Sequence, residues 1–212
     1  MSHVKGRNEQ VESTRVRILE TAERLFAVHG VASVSNRQVS EAAGQGNNAA
    51  VGYHFGGKNE LVREIIRRHA EPTDVIRLRL LDQHRDSTRL RDWVTCVVQP
   101  ITEHLADLGN PSWYARFAAQ LMTEPNLREL AAAEVAEAPA LQAVFGGLHR
   151  RLPGLTGAVQ AERDDMAHTL ILHFCAQRER TMPPGADARA VWEATATSLI
   201  DALEGLYCAP VT

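Results

Sequence analysis

Residues 35 to 61 read SNRQVSEAAGQGNNAAVGYHFGGKNEL. Ser35 precedes a helical pattern and Gln38 follows three residues on, so the hydroxyl can cap an exposed amide while the glutamine side chain reaches back to the chain start. Val39, Ala42 and Ala43 then form a small apolar face, and Gly44 sits where a helix ends in a left-handed turn. Gln45, Gly46 and Asn47 supply turn chemistry, Asn48 is a candidate cap, and Ala49, Ala50 and Val51 are small enough for a second helix to pack closely on the first. Two short helices joined by a glycine turn predict a helix-turn-helix, whose second helix is the one that enters a DNA major groove.

The segments on either side are helical as well. Ile18, Ala22, Leu25, Phe26 and His29 share one face with Gly30 as a stop, which predicts a first helix over about 11 to 29 and a disordered start over 1 to 8. Leu61, Val62, Ile65, Ile66 and His69 predict a helix that runs to Pro72 and joins the head to the body. Helical spacing resumes over Val75 to Leu81 and over Leu90 to Leu105, the latter with a kink at Pro100. Asn110 and Pro111 read as a cap and first helical residue for a helix carrying Trp113, Phe117 and Leu121, ended by Glu124 and Pro125. Residues 126 to 152 read as alanine-rich helix interrupted at Pro139, and two long helices follow over about 157 to 179 and 187 to 207. Strand alternation is lacking, so the expected class is all-α: a three-helix head over 9 to 57 and a larger helical body over 58 to 212.

Composition agrees with that division. In the 212-residue chain, residues 1 to 70 hold 10 Lys and Arg against 7 Asp and Glu, whereas the remainder holds 13 against 19. A mildly basic head on an acidic body suits a nucleic-acid module attached to a part that does not touch DNA. No apolar run approaches the length of a membrane span, and MSHVKGRNEQ has no secretory character, so a cytoplasmic location is expected. Cys96, Cys175 and Cys208 are far apart and read as reduced core thiols.

From about residue 11 to residue 70 the sequence resembles the TetR family of transcriptional regulators. Ala22, Leu25, Phe26 and Gly30 carry the likeness first, then Ser35, Arg37, Val39, Ala42, Ala43 and Gly44, then Tyr53, His54, Phe55, Lys58 and Leu61. It departs from the common pattern at Val34, where a threonine or serine is usual, in a turn one residue longer, and at Gly52, where many members have tyrosine. The resemblance implies a homodimer whose heads read a near-palindromic double-stranded operator, repressing transcription until a small-molecule effector of unknown identity releases it. An alternative keeps the fold under the control of a partner protein, or with no ligand at all.

Within that picture Gln45, Asn47 and Asn48 are candidates for reading base edges, with capping and turn formation as their competing role. Arg37, Gln38, Tyr53, His54 and Lys58 are candidates for phosphate contacts, and Phe55 reads as a core plug. Lys5, Arg7, Arg15 and Arg17 form either an arm along DNA or a solvated start. Trp93, Cys96, Trp113, Phe117, Leu121, Met122, Phe145, His149 and Phe174 are candidate pocket residues, although for each taken singly ordinary core packing is the favoured role. Leu170, Phe174, Leu199, Ala202, Leu203 and Leu206, with the small residues Ala194 and Gly205, are candidates for a four-helix dimer interface. The helix beginning at Lys58 is the expected lever between effector and operator.

Two enzyme readings fail on context. Gly44, Gly46 and Ala49 match a dinucleotide fingerprint with Glu64 downstream, but that fingerprint needs flanking strands where this sequence is helical. His168 and His173 lie roughly 140° apart around a helix and cannot share a metal as i, i+4 pairs do, while His104 and His149 have no sequence neighbours to join. No G-x-S-x-G elbow is present. Neither a catalytic residue, a metal nor a cofactor is expected.

Overall fold

The structure, a computed structural model, describes residues 2–46, 49–136 and 138–211, with side chains described from residue 9 and omitted again at 135 and 136. Among the described residues there are ten helices and no strand. They are α1 (Ser2–His29), α2 (Asn36–Ala42), α3 (Ala50–Phe55), α4 (Lys58–His84), α5 (Leu90–Leu108), α6 (Tyr114–Leu121), α7 (Pro125–Ala136), α8 (Pro139–His149), α9 (Gly157–Thr181) and α10 (Ala188–Cys208). The helix α1 begins well before residue 11, so the expected disordered start is helical backbone instead. No helix is long and apolar enough to cross a membrane among the described residues.

Two hydrophobic clusters organise these helices. The head core gathers Ile18, Ala22 and Phe26 from α1, Val39 from α2, Val51 and Phe55 from α3, and Leu61 and Ile65 from α4. It is completed from far along the chain by Phe117 and Leu121 of α6 and by Leu127 and Leu130 of α7. The body core gathers Trp93, Val94, Val97 and Leu105 of α5, Val144 and Leu148 of α8, Ile171 and Cys175 of α9, and Trp192, Leu199 and Leu203 of α10. Tyr114 of α6 touches both clusters.

Pro72 does not end the fourth helix; α4 continues past it to His84. Proline cannot donate to the carbonyl four residues back, but Pro72 lies on the exposed side of α4, where that carbonyl can turn to water. The α5 helix likewise continues through Pro100. Asn110 and Pro111 do not start a helix: their peptide bond is cis and α6 begins later, at Tyr114. Asn110 instead donates through Nδ2 to the carbonyl of Pro183 at 2.8 Å.

The cap of α6 comes from another helix. The Glu179 carboxylate of α9, buried from solvent, accepts from Ser112 Oγ at 2.8 Å, from the backbone amides of Ala115 at 3.2 Å and Arg116 at 3.0 Å, and from Arg116 Nε at 3.0 Å. A carboxylate at a helix N-terminus satisfies amides that have no helical partner and sits at the favourable end of the dipole. Phe117, one turn further on, stacks on Phe26 of α1 with ring centroids 6.2 Å apart. The short α6 thus joins α9 of the body to α1 of the head.

Cys96 and Cys175 are buried, whereas Cys208, at the end of α10, is exposed. The expectation of three core thiols therefore fails at the last, because the apolar face of α10 is used up by Leu199, Leu203 and Tyr207. Burial pushes the Cys96 thiol up to about 11 and the Cys175 thiol to about 12, with Asp92 and Glu179 respectively adding to the effect.

Candidate nucleic-acid interface

Ser35 adopts an extended backbone, and its Oγ accepts from the Gln38 amide at 3.2 Å. Gln38 returns its Oε1 to the Ser35 amide at 2.8 Å, completing the capping box expected from the two residues' spacing. Gly44 follows α2 with φ +68°, a conformation that a side chain with Cβ adopts only under strain. Gln45 then turns inward: its backbone amide bonds the Ser40 carbonyl at 3.0 Å and its Nε2 the Ala43 carbonyl at 3.2 Å.

Ser40 closes the angle between the two helices. It is fully buried, and its Oγ accepts from the Val51 amide of α3 at 3.4 Å. Ala50, Val51 and Phe55 face the core, which leaves Gly52 and Tyr53 on the outer side of α3. Tyr53 is 79% exposed, with its ring set edge-on to His54 at 4.9 Å. A Cβ built at Gly52 meets nothing within 4 Å, so this position is bare surface next to an exposed aromatic ring.

Arg15 belongs to the helix-turn-helix, not to an arm. From α1 its guanidinium donates to the His54 carbonyl at the end of α3, pairs with Glu64 of α4 at 3.3 Å and lies over the Phe55 ring at 4.5 Å from the centroid. One cation thereby fixes α3 between its two neighbours. Sequence spacing gave no sign of this role, because the partners lie 39 and 49 residues away.

Lys58 is also turned inward. Its ammonium donates to the Val31 carbonyl at 3.0 Å and the Ala32 carbonyl at 3.5 Å, in the turn after α1. Those carbonyls follow Gly30, whose φ of +84° takes the chain out of α1. An ammonium with two of its three protons committed in this way is first a clamp on that turn. Arg37 pairs with Glu41 one turn on at 2.7 Å, and this hydrogen bond to the carboxylate raises its pKa further. Among the exposed head arginines, Arg17 and Arg24 of α1 form no ion pair with described residues. Asn47 and Asn48 lie outside the described residues.

The candidate pocket residues are dispersed. Phe117 and Leu121 are in the head core, not the body. Trp113 is half-buried beneath the Arg116 guanidinium at 4.3 Å, and Met122 is the half-buried C-cap of α6. Trp93 lies in the body core, with Phe145 and Phe174 packed against that cluster. His149 is bonded through Nε2 to Asp164 at 2.8 Å. Two open clefts are present elsewhere, one of about 340 Å³ beside Leu25, His29 and Val34, and one of about 250 Å³ between α5 and α10 beside Thr102, Glu103 and Trp192. None of the candidate pocket residues lines either.

The candidate dimer residues divide by helix face. Leu199 and Leu203 are 2% and 0% exposed, turned into α5 and unavailable to a partner, which removes them from the expected interface. Leu170 and Ala202 are exposed, and Phe174 and Leu206 are half-buried on the outer side of α9 and α10. Apolar periodicity located the stripe on α10 but could not say which stripe faced inward.

A capped α2, a left-handed glycine turn and an α3 locked by Ser40 and Arg15 define a helix-turn-helix head. Residues 18–65 match the family described as "Bacterial regulatory proteins, tetR family". The head is thus of the tetR type, and the relatives that it matches are named as transcriptional regulators. It is 36% identical over 63 residues to the HTH-type transcriptional regulator TtgR of Pseudomonas putida, and equally to the probable HTH-type transcriptional regulator ArpR of the same species. The match spans 30% of this chain and 30% of each relative's length. Across the whole chain, the crystal structure of NalD, the secondary repressor of the MexAB-OprM multidrug efflux pump in Pseudomonas aeruginosa, superposes with a TM-score of 0.57 at 25% identity, over 92% of this chain and 96% of that one. The TetR-family regulator PfmR from Thermus thermophilus shares the fold, with a TM-score of 0.53 at 18% identity over 92% of this chain and 96% of that one.

Proposed function

We propose that the protein is a sequence-specific, DNA-binding transcriptional repressor that acts as a homodimer on a near-palindromic operator. The observation that carries this is the outer face of α3: a bare Gly52 beside a 79% exposed Tyr53, on a helix held rigid by Arg15 and Ser40. An aromatic residue that exposed on a tightly braced short helix has no packing role in the monomer, and a surface that small lets a nucleic-acid backbone approach closely.

In this reading α3 enters the major groove. Asn47 and Asn48, which precede it in sequence, read base edges, Gln45 first braces the turn, and Arg37, Gln38, Tyr53 and His54 hold phosphates. Arg17 and Arg24, which form no ion pair with described residues, add positive charge from α1. Lys58 contributes mainly by holding the turn after α1. The partner copy docks on the outer side of α9 and α10, through Leu170, Phe174, Ala202 and Leu206 with Ala194 and Gly205 permitting close approach. A small-molecule effector that prefers a head spacing unsuited to the operator shifts the population away from DNA. Repression is the sign favoured by the likeness to NalD.

Selection of bound duplexes from a random pool, followed by sequencing, tests this. An inverted repeat should be enriched, with half-site centres about 34 to 36 Å apart along the helix. Recovery of duplexes with no repeat enriched above the starting pool would refute sequence-specific binding. Sedimentation showing a monomer at micromolar concentration would refute the dimer.

A further inference from the structure

The junction between head and body contains a buried polar chain that crosses three helices. Glu23 of α1 bonds His69 Nε2 of α4 at 2.9 Å, and His69 Nδ1 bonds His104 Nε2 of α5 at 2.8 Å. All three residues are more than nine-tenths buried. Tyr114 of α6 stacks on the His69 ring, with centroids 3.8 Å apart and planes 16° from parallel, and meets the His104 ring edge-on at 5.9 Å. His69 is thus bonded at both nitrogens and covered on one face.

The proton positions follow from the acceptors. A carboxylate only accepts, so His69 Nε2 carries a hydrogen towards Glu23. The contact between the rings then needs one hydrogen between two nitrogens. With both rings neutral, His104 donates through Nε2 to a bare Nδ1 of His69. With one more proton bound from solvent, His69 becomes an imidazolium, donates through Nδ1 and is balanced by Glu23. Both states keep the same heavy-atom contacts. A second added proton places N–H against N–H and two positive rings side by side, and the contact is lost.

We propose that Glu23, His69 and His104 form a proton-gated latch between the head and the body, closed with up to one added proton on the two rings and opened by a second. The charged groups around the latch favour this order. Glu23 from α1 stabilises the first added charge. On α5, Asp107 favours protonation of His104, but burial first and the adjoining His69 next outweigh it and hold His104 down to about 4. Tyr114 from α6 stays neutral because burial raises its pKa. Arg77 of α4, buried and paired with Asp74, is a further cation at this junction and so does not favour a second added proton.

The sign of the pH effect follows. Below about 6.5 the His104 of an unfolded chain takes up a proton that the folded chain refuses until about 4. The stability gained by keeping it neutral is complete above about 6.5 and is lost progressively as pH falls to about 4. The latch concerns the packing of head on body and stands whether or not the operator reading is correct.

The test is a nitrogen-15 NMR titration of the imidazole rings in the full chain, paired with hydrogen exchange of α4 and α5. In the wild type, one proton should enter the pair well before the second, and amide protection along α5 near His104 should fall about tenfold only with the second. Glu23→Gln does not touch His104, yet it should move the uptake of the first proton to lower pH and alter the His104 signal. Independent titration of the two rings, or a His104 signal unchanged in Glu23→Gln, would overturn the proposal. Should Glu23→Gln fail to fold, His104→Gln decides: it keeps a bonding partner for His69 but cannot take the second proton, so acid loosening of α5 should vanish. Persistence of that loosening in His104→Gln would equally overturn it.

Discussion

Gly147, buried in the last turn of α8, faces the indole of Trp93 so closely that a Cβ built there falls 1.8 Å from Cζ3, 2.0 Å from Cε3 and 2.3 Å from Cη2. Carbon atoms rest about 3.5 to 4.0 Å apart, so Gly147→Ala requires the ring to move by roughly 1.5 to 2 Å. The ring cannot do this freely. Its Nε1 donates to the Ser87 carbonyl at 3.1 Å, and the Arg151 guanidinium lies 4.9 Å from its centroid. Loss of that hydrogen bond costs about 1 kcal/mol, loss of the cation–π contact about 0.5 to 1, and overpacking about 1 to 3. Replacing a helical glycine by alanine returns at most about 1 kcal/mol, and Gly147 lies in the last turn of its helix. The net expectation is destabilisation by roughly 1.5 to 4 kcal/mol, read by urea denaturation of the full chain. Trp93→Leu is also destabilising alone, but the double variant should recover part of the sum, because the smaller side chain leaves room for the new methyl. A Gly147→Ala protein as stable as wild type, or strictly additive effects in the double variant, would refute the packing described for α8 on α5.

Three further outcomes are expected. Glu179→Ala removes the acceptor of four hydrogen bonds and leaves Arg116 beside a void, so it should destabilise the protein by about 3 kcal/mol in thermal melts, whereas Arg116→Met should cost less because Glu179 keeps its other three donors. Lys58→Met keeps the apolar stem but releases the Val31 and Ala32 carbonyls, so it should lower stability by about 1 kcal/mol while changing the salt slope of binding to duplex DNA by less than one unit; a full-unit fall at unchanged stability would restore Lys58 to a phosphate. Iodoacetamide at neutral pH should label Cys208 in the native protein and reach Cys96 and Cys175 only after unfolding, as intact-mass measurement would show.

The parts of the fold that could be read from the chain are those with local causes. Ser35 and Gln38 are three residues apart, and Gly44 ends the helix that they begin, so the capping box and the turn follow from near neighbours. Features that failed depend on direction in space. Pro72 breaks a helix or is tolerated in one according to whether its face meets solvent, and spacing alone does not carry that information. The heptad-like stripe of Leu199, Leu203 and Leu206 is real, but two of its members are spent on α5 before a partner copy could use them. Arg15 and Lys58 were visible as charges and not as clamps, because their acceptors are backbone carbonyls, which every residue possesses.

The capping of α6 by Glu179 sets an order of assembly. At eight residues, without a side-chain cap of its own, α6 is too short to persist in isolation. Its N-terminus is satisfied only after a residue of α9 has been synthesised and brought back across more than sixty positions. Phe117 and Leu121, which α6 carries, fill the core of the domain at the other end of the chain. A chain cut before α9 would therefore lack the cap of α6 and should present a head with an open, greasy seam along α1.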